Sequence, residues 1–217
     1  MDETKGASLD DLFQDLMHPN PKIQEAACFT MAEKFPDEAM PKLLELFEHN
    51  DPKVYRAAVK GIGFFGYPAY GKVLEIFATT ENQTARRCCP KAFVQLFKNF
   101  PNQPFPDEVM RMLEESIDDQ DTVVVQGALM CLGQIGKQDL GGEDAVRILA
   151  KSLKSENIAL VYSAAQALAD VDHPKAEIVL KDLANDSDDP LITEAAESAL
   201  ARYQTLKASK NKAGENC

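Results

Sequence analysis

Small and apolar residues recur along this chain at i, i+3, i+4, i+7 and i+8, which is the spacing of an amphipathic helix. The pattern begins six times, at intervals of 31 to 39 residues. Two small side chains stand at i+3 and i+4 of every copy, where we expect a neighbouring helix to approach closely. The pattern predicts six equivalent helices, called B helices here. Their registers begin at Ile23, Val54, Ala85, Val124, Leu160 and Ile192.

A shorter amphipathic run, such as the one from Met40 to Phe47, precedes each B helix and predicts an A helix. The turns between A and B helices are rich in Pro, Asn and Asp, as in residues 50–52 and 186–190, and these residues favour helix N-termini. One helical hairpin cannot cover its own apolar face, so the hairpins must stack. We therefore predict a right-handed α-solenoid of six helical hairpins over residues 1–206, followed by a flexible tail over residues 207–217.

The third B helix is expected to be irregular. Pro90 lies inside its register, where a proline removes a backbone hydrogen bond, so we expect a kink or a restart. Most of the surrounding phenylalanines have helical spacing and are expected in the core. Tyr67 and Tyr70 lie in a glycine-flanked connection and are predicted to be exposed.

Composition and charge limit the classes of function. With 217 residues, 45% of them hydrophobic, the chain can bury a continuous core. No window approaches the roughly 18 consecutive apolar residues of a membrane span, so we expect none. The formal net charge of −12 argues against a general nucleic-acid binder. Residues 1–105 carry 12 basic and 14 acidic side chains, whereas residues 106–217 carry 11 and 21, so a negatively charged partner fits the first half better.

Five cysteines make a poor disulfide framework, because the number is odd and Cys88 and Cys89 are adjacent. Such cysteine usage suits a reducing compartment. The predicted location is therefore cytoplasmic.

Two segments resemble the HEAT-like repeats of the cyanobacterial phycobilisome-lyase family: Asp51 to Gly63, DPKVYRAAVKGIG, and Gly127 to Gly136, GALMCLGQIG. That family includes the heterodimeric bilin lyases of the E/F type, which attach or remove linear tetrapyrroles on phycobiliprotein cysteines. The resemblance implies a role in phycobilisome or bilin metabolism. It implies a phycobiliprotein subunit or a partner lyase subunit as the bound protein, and a phycobilin as a candidate ligand. The chain is also similar to small cyanobacterial HEAT-repeat proteins that associate with an A-type iron-sulfur carrier, which implies a shared iron-sulfur cluster as an alternative.

No motif for catalysis was found. The sequence lacks G-x-S-x-G, a phosphate-binding glycine loop and H-E-x-x-H. His18, His49 and His173 are not followed by Glu, unlike the histidines of the HEAT-like di-iron hydroxylase. The chain resembles one half of a heterodimeric lyase, so we predict a non-catalytic, protein-binding scaffold with no metal site. A lyase subunit or a bilin chaperone is the alternative.

The predicted binding groove is the face beside the buried positions of the B helices, where apolar and basic side chains mix. Its arginines and lysines can pair with carboxylates, whether bilin propionates or acidic side chains of a protein. The competing interpretation is that they form ion pairs between repeats, with Glu25 and Asp51. The predicted groove residues are Tyr55, Arg56, Lys60, Arg86, Arg87, Lys91, Leu129 and Tyr162.

The cysteines divide into two groups. Cys88, Cys89 and Cys131 fall on the buried register, where a cysteine behaves as a small apolar residue. Cys28 lies one position beyond the register and Cys217 is the last residue, so these two are predicted to be accessible thiols. No C-x-x-C spacing is present, so an iron-sulfur cluster would have to be shared with a partner protein.

Overall fold

The computed structural model describes residues 7–103, 106–137 and 141–214, with side chains described as far as Lys210. Over these ranges the chain forms twelve α-helices, one 3-10 turn at Leu46–Glu48 and no strand, which confirms the all-α fold class. The helices are α1 (Leu9–Leu16), α2 (Pro21–Lys34), α3 (Pro36–Glu45), α4 (Pro52–Ile62), α5 (Pro68–Thr79), α6 (Gln83–Asn99), α7 (Asp107–Ser116), α8 (Thr122–Gly136), α9 (Gly142–Ser152), α10 (Ile158–Asp170), α11 (Pro174–Asp186) and α12 (Pro190–Gly214).

The helices pair as the six predicted hairpins. Each odd-numbered A helix packs against the even-numbered B helix that follows it. B helices also pack against B helices: α2 with α4 and α4 with α6, and then α8 with α10 and α10 with α12. All six B registers begin inside an even-numbered helix.

Contacts divide the chain into two compact units, Met1–Gln103 and Pro104–Cys217. This differs from the single domain expected over residues 1–206. Unit 1 holds the first three hairpins and unit 2 holds the last three.

The C-terminal helix also differs from the sequence prediction. Helix α12 continues through Gly214, whereas we expected a flexible tail from residue 207. Lys207 and Lys210 pair with Glu177 and Asp172 at 3.4 and 2.7 Å, so carboxylates hold this part of α12 against the rest of unit 2.

Side-chain caps start the B helices, as the turn residues predict. Asn82 accepts hydrogen bonds from the backbone N–H groups of Thr84 and Ala85, at 2.9 and 3.1 Å, and so satisfies two donors that the first turn of α6 leaves unpaired. The other capping side chains of the B helices α2, α4, α8 and α10 are Asn20, Asp51, Asp121 and Asn157.

Helix α6 does not restart at Pro90. It runs without interruption from Gln83 to Asn99, with the proline ring buried inside unit 1. Its neighbours Cys89 and Phe93 are fully buried as well. The prediction of a restart was wrong because packing on both sides of Pro90 outweighs one missing backbone hydrogen bond.

The aromatic cluster of unit 1 corrects a second prediction. Tyr70 is 2% exposed, with its ring centroid 5.7 Å from that of Phe93 and 6.0 Å from that of Phe97. The expectation that Tyr70 is exposed was therefore wrong, since its ring completes the core between α5 and α6. Tyr67 is 58% exposed, as predicted.

Glycines set the close spacing of α8 and α10 in unit 2. A Cβ atom added at Gly133 would lie 3.1 Å from the Cα atom of Ala167, and one added at Gly136 would lie 2.5 Å from a methyl carbon of Val171. The contacting residues are 34 and 35 positions apart. Because the later residue of α8, Gly136, meets the later residue, Val171, at the end of α10, the two helices run parallel.

Candidate binding surfaces

The predicted groove residues fall in both units. Six of them lie on α4 and α6 of unit 1, whereas Leu129 and Tyr162 lie on α8 and α10 of unit 2. Each unit therefore has its own candidate surface on its B helices. The basic surface of unit 1 is defined by Tyr55, Arg56, Lys60, Arg87 and Lys91.

Helix α4 contributes the exposed part of the basic surface. Arg56 is exposed, and its guanidinium lies 6.0 Å from the ring centroid of the half-buried Tyr55. Lys60 forms an ion pair with Glu25 of α2 at 3.2 Å, as the competing interpretation expected. Asp51 instead caps α4, accepting a hydrogen bond from the backbone N–H of Lys53 at 2.8 Å.

Helix α6 contributes two more cations and one structural arginine. Arg87 and Lys91 are half-buried and lie one turn apart on one face of α6. Arg86 donates to the backbone oxygen of Phe77 at 2.9 Å, and its guanidinium lies 4.1 Å from the Phe77 ring centroid. Arg86 thus joins α5 to α6 within the hairpin.

An aromatic groove in unit 1 was missed by the sequence reasoning. Phe29 is 59% exposed, and Phe64 and Phe100 are half-buried. With Lys98 and Asn99 among the other lining residues, they border a groove of about 550 Å³. Helical spacing suggested that Phe64 and Phe100 belong to the core, but they lie just beyond the C-terminal ends of α4 and α6 and are only half-buried.

The prediction that Cys28 is accessible was wrong. Cys28 is 0% exposed, and burial raises the pKa of its thiol to about 11, although the charge of Lys60 opposes this. Helix α2 is rotated relative to the expected register, so Cys28 is buried while Ala26 is exposed. A buried, protonated thiol is a poor nucleophile and a poor metal ligand.

The other described cysteines are buried as predicted. Cys88, Cys89 and Cys131 are at most 1% exposed, and burial raises the pKa of each thiol, that of Cys88 to about 11. Cys217, the second predicted accessible thiol, lies outside the described residues. Within the ranges that the structure describes, His, Cys, Asp and Glu side chains form no cluster suited to a metal ion.

Unit 2 presents a groove with a different chemistry. Tyr162 and Met130 are each 50% exposed, whereas Leu129 is 1% exposed, so Leu129 does not present the apolar side chain that was expected at the surface. These residues border a groove of about 510 Å³ along α8 and α10. We call it the glutamine groove after Gln126, Gln134 and Gln166, which line it with Met130, Tyr162, Lys137, Asp170 and Arg202.

Two cations share one carboxylate at the end of the glutamine groove. Asp170 accepts from Arg202 at 2.7 Å and lies 3.2 Å from the ammonium of Lys137. These contacts connect α10 to α12 and to the C-terminal end of α8. The described helices include none long and apolar enough to cross a membrane.

Most of the chain matches one known repeat family. The sequence pattern of the HEAT repeats family matches residues 9–88 and 109–201. The crystal structure of an engineered protein aligns with 92% of this chain and 98% of its own, at 18% identity and a TM-score of 0.49.

Two cyanobacterial relatives match over nearly their whole length. The chain is 41% identical over 181 residues to the bilin biosynthesis protein CpeZ of Synechococcus sp. strain WH8020, covering 83% of this chain and 97% of that protein. It is 28% identical over 205 residues to an uncharacterized phycocyanin operon protein Z of Pseudanabaena tenuis strain PCC 7409, covering 94% and 98%. The chain therefore belongs to the HEAT-repeat family, among the cyanobacterial HEAT-like proteins related to the bilin lyases.

Proposed function

We infer that this chain is a non-catalytic scaffold of bilin metabolism that binds a phycobiliprotein subunit or a partner lyase subunit through unit 1. The observation that carries the proposal is the combination of the basic surface with the exposed aromatic groove on the same unit. Cations select a negatively charged partner, and the phenylalanines supply apolar area that binding removes from water.

The distribution of charge supports an acidic partner. Unit 1 has slightly more acidic than basic residues, 14 against 12. Arg56, Arg87, Lys60 and Lys91 nevertheless gather on the B helices α4 and α6, with Glu25 as an ion-pair partner of Lys60. A guanidinium binds a carboxylate through two parallel hydrogen bonds, so exposed Arg56 is the strongest candidate for a direct contact.

The aromatic groove supports a protein rather than a dissolved anion. Phe29 leaves more than half of its surface in water beside the half-buried Phe64 and Phe100, and a contiguous exposed apolar patch of this kind marks a contact surface. Aromatic and arginine side chains are the residues most enriched in energetically important contacts of protein interfaces.

The state of the thiols supports a non-catalytic role. Chemistry on a bilin that passes through a protein thiol requires a thiolate. The four described cysteines are buried, and burial raises the pKa of each.

A bilin ligand is the second candidate, because one relative is named a bilin biosynthesis protein. The carboxylates of a linear tetrapyrrole would suit Arg56 and Arg87, and its rings would suit the phenylalanines. The two candidates differ in what the purified protein carries, so one preparation tests both.

The test is purification of the tagged full chain from a phycobilisome-containing cyanobacterium, with the co-purifying proteins identified by mass spectrometry and a visible spectrum recorded. The variant Arg56→Glu/Arg87→Glu reverses two charges of the basic surface. We expect it to reduce capture of the phycobiliprotein or lyase subunit at least about tenfold, since each reversal places a negative charge against an acidic partner and like charges across an interface repel strongly.

The control is Lys154→Glu/Lys181→Glu, which makes the same change in charge on exposed positions of unit 2. This variant should capture the partner normally. Equal capture by the unit 1 variant would exclude the basic surface as the binding site. The purified chain could instead carry no protein partner and show visible absorption by a bilin that is lost in the Arg56→Glu/Arg87→Glu variant. That result would favour a bilin chaperone over a protein-binding scaffold.

A further inference from the structure

The glutamine groove of unit 2 has free hydrogen-bonding groups along its length. No hydrogen bond to another described residue involves the side-chain amide of Gln126 or Gln166, and that of Gln134 only accepts from the ammonium of Lys137 at 3.3 Å. A primary amide has two donors and an acceptor, the same groups that a main-chain peptide presents. In the interior of a helix or a sheet those main-chain groups are already paired, whereas an extended segment offers them along its whole length.

The geometry of α8 and α10 suits an extended occupant. The close approach of Gly133 to Ala167 brings the two parallel helices together beneath the groove. Gln126, Met130 and Gln134 are spaced four residues apart on α8, as Tyr162 and Gln166 are on α10. Side chains four apart lie on one helix face, so two rows of residues border a shallow channel.

Two exposed side chains can hold an apolar residue of the occupant. Met130 and Tyr162 are each half exposed and border the groove from opposite helices. A thioether adapts to the shape of a side chain against it, and a tyrosine ring offers a rigid apolar face. Alternate side chains of an extended segment point the same way, so every second residue could enter this site.

Charge at the end of the groove adds a preference. Lys137 and Arg202 share Asp170, which leaves one positive charge in excess among these three. The surrounding half of the chain carries 21 acidic and 11 basic side chains, so a basic cluster within the groove is a local exception. An acidic side chain of the occupant would complete the pairing with Lys137 and Arg202.

We propose that the glutamine groove binds an extended polypeptide segment of a partner protein, with an apolar residue between Met130 and Tyr162 and an acidic residue beside Lys137 and Arg202. Gln126 and Gln166 hydrogen-bond to the main chain of this segment. The basic surface of unit 1 has no part in this binding, so each surface can fail its test alone.

The probe is a phage-displayed library of random decapeptides, selected on the purified full chain and counter-selected on the variant Gln126→Ala/Gln166→Ala. We expect a family of sequences with an apolar residue and a nearby Asp or Glu. A fluorescein-labelled member then gives a dissociation constant by anisotropy. The double variant should bind it about tenfold more weakly, because each lost hydrogen bond is worth about 0.5–1.5 kcal/mol.

Two controls separate this mode from others. Gln204→Ala makes the same truncation at an exposed position of α12 that does not line the groove, and it should leave affinity unchanged. A peptide with the same side chains but N-methylated main-chain amides should lose binding, because its backbone donors are gone. Replacing the acidic residue of the selected peptide by Asn or Gln should weaken its binding to the native chain but not to the variant Arg202→Gln.

Three results would overturn the proposal. These are selection that yields no enriched family, equal binding of the N-methylated peptide, and native affinity in the double glutamine variant. Enriched peptides that bind as helices, shown by circular dichroism of the complex, would assign the groove to a helical partner instead.

Discussion

Burial makes the four described cysteines structural rather than reactive. Cys28 shows why a sequence register does not settle the matter. It was placed beside the buried stripe of α2, but α2 packs against α1, α3 and α4 together and buries Cys28 with Ala27 and Met31. A first B helix has different neighbours from the later ones, so its buried face turns by about one position.

Thiol accessibility is directly measurable. In the variant Cys217→Ser, the four remaining cysteines are buried, and the pKa of Cys28 and of Cys88 is about 11. We expect a thiol reagent at pH 8 to modify them at least roughly a hundredfold more slowly in buffer than in denaturant, because reaction needs both opening and deprotonation.

The native chain supplies the comparison. Any additional fast-reacting thiol in it is Cys217, which tests the prediction that the last residue is accessible. A fast thiol that persists in Cys217→Ser would contradict the burial of the other four cysteines.

Gly136 carries a second prediction at the scale of the residue. A Cβ atom there would lie within 2.9 Å of three carbons of Val171, whose branched side chain has little freedom to move. We expect Gly136→Ala to destabilise the protein by about 1–3 kcal/mol, the usual range for overpacking, measured by urea unfolding.

Gly71 provides the matched control, because no atom beyond its neighbours lies within 4 Å of an added Cβ. Gly71→Ala lies inside α5 and should stabilise the protein by up to about 1 kcal/mol, since alanine favours a helix more than glycine does. An equal effect of the two substitutions would mean that helix propensity, not close packing, decides both.

At the scale of the helix, the contact between α7 and α9 has a defined pH dependence. Glu114 of α7 accepts from Arg147 of α9 at 2.6 and 3.0 Å and also pairs with Lys151. These hydrogen bonds lower the pKa of Glu114 from 4.5 to about 2, and the one from Arg147 has the largest effect. A carboxyl group whose pKa is lowered by folding stabilises the folded protein at pH values above its ordinary pKa. This stabilisation is lost as the pH falls toward the lowered pKa.

We therefore expect Glu114→Gln to lower the free energy of unfolding at pH 6 by roughly 1 kcal/mol or less, as for exposed ion pairs in general. The difference from the native chain should shrink as the pH falls from about 4.5 toward about 2. Urea titrations at pH 6 and pH 3 measure it, with the exposed neighbour Glu115→Gln as control. A difference that grows in acid would contradict the assignment of Glu114 as the acceptor.

Helix boundaries were predictable because their signals are local. The helical spacing identified every B helix, and Pro, Asn and Asp in the turns marked the starts of several, whereas Pro90 inside α6 was expected to kink or restart that helix. That error came from judging one backbone hydrogen bond without the burial of Cys89 and Phe93 on either side. Extending the register to i+6 and i+10 would have revealed Phe29 and Phe64 as surface residues.

For the whole molecule, the repeat architecture could be predicted from the sequence, whereas the division into units could not. The spacing between registers is longest from Ala85 to Val124, at 39 residues, and the boundary between Gln103 and Pro104 falls within it. A long spacing suggests a loop, but only the three-dimensional contacts show where one core ends and another begins. The candidate surfaces could be predicted only in part, because the exposure of a side chain depends on neighbours that are distant in sequence.

The ion pairs and hydrogen bonds between adjacent hairpins join residues only about one repeat apart. Glu25 and Lys60 are 35 residues apart, Gly63 and Asn99 are 36 apart, and Asp170 and Arg202 are 32 apart. A chain with such local contacts has little entropy to lose in closing each loop, and its folding is correspondingly fast. During synthesis on the ribosome, unit 1 has all the partners of its own core once residue 103 has emerged, and it can fold while unit 2 is still being translated.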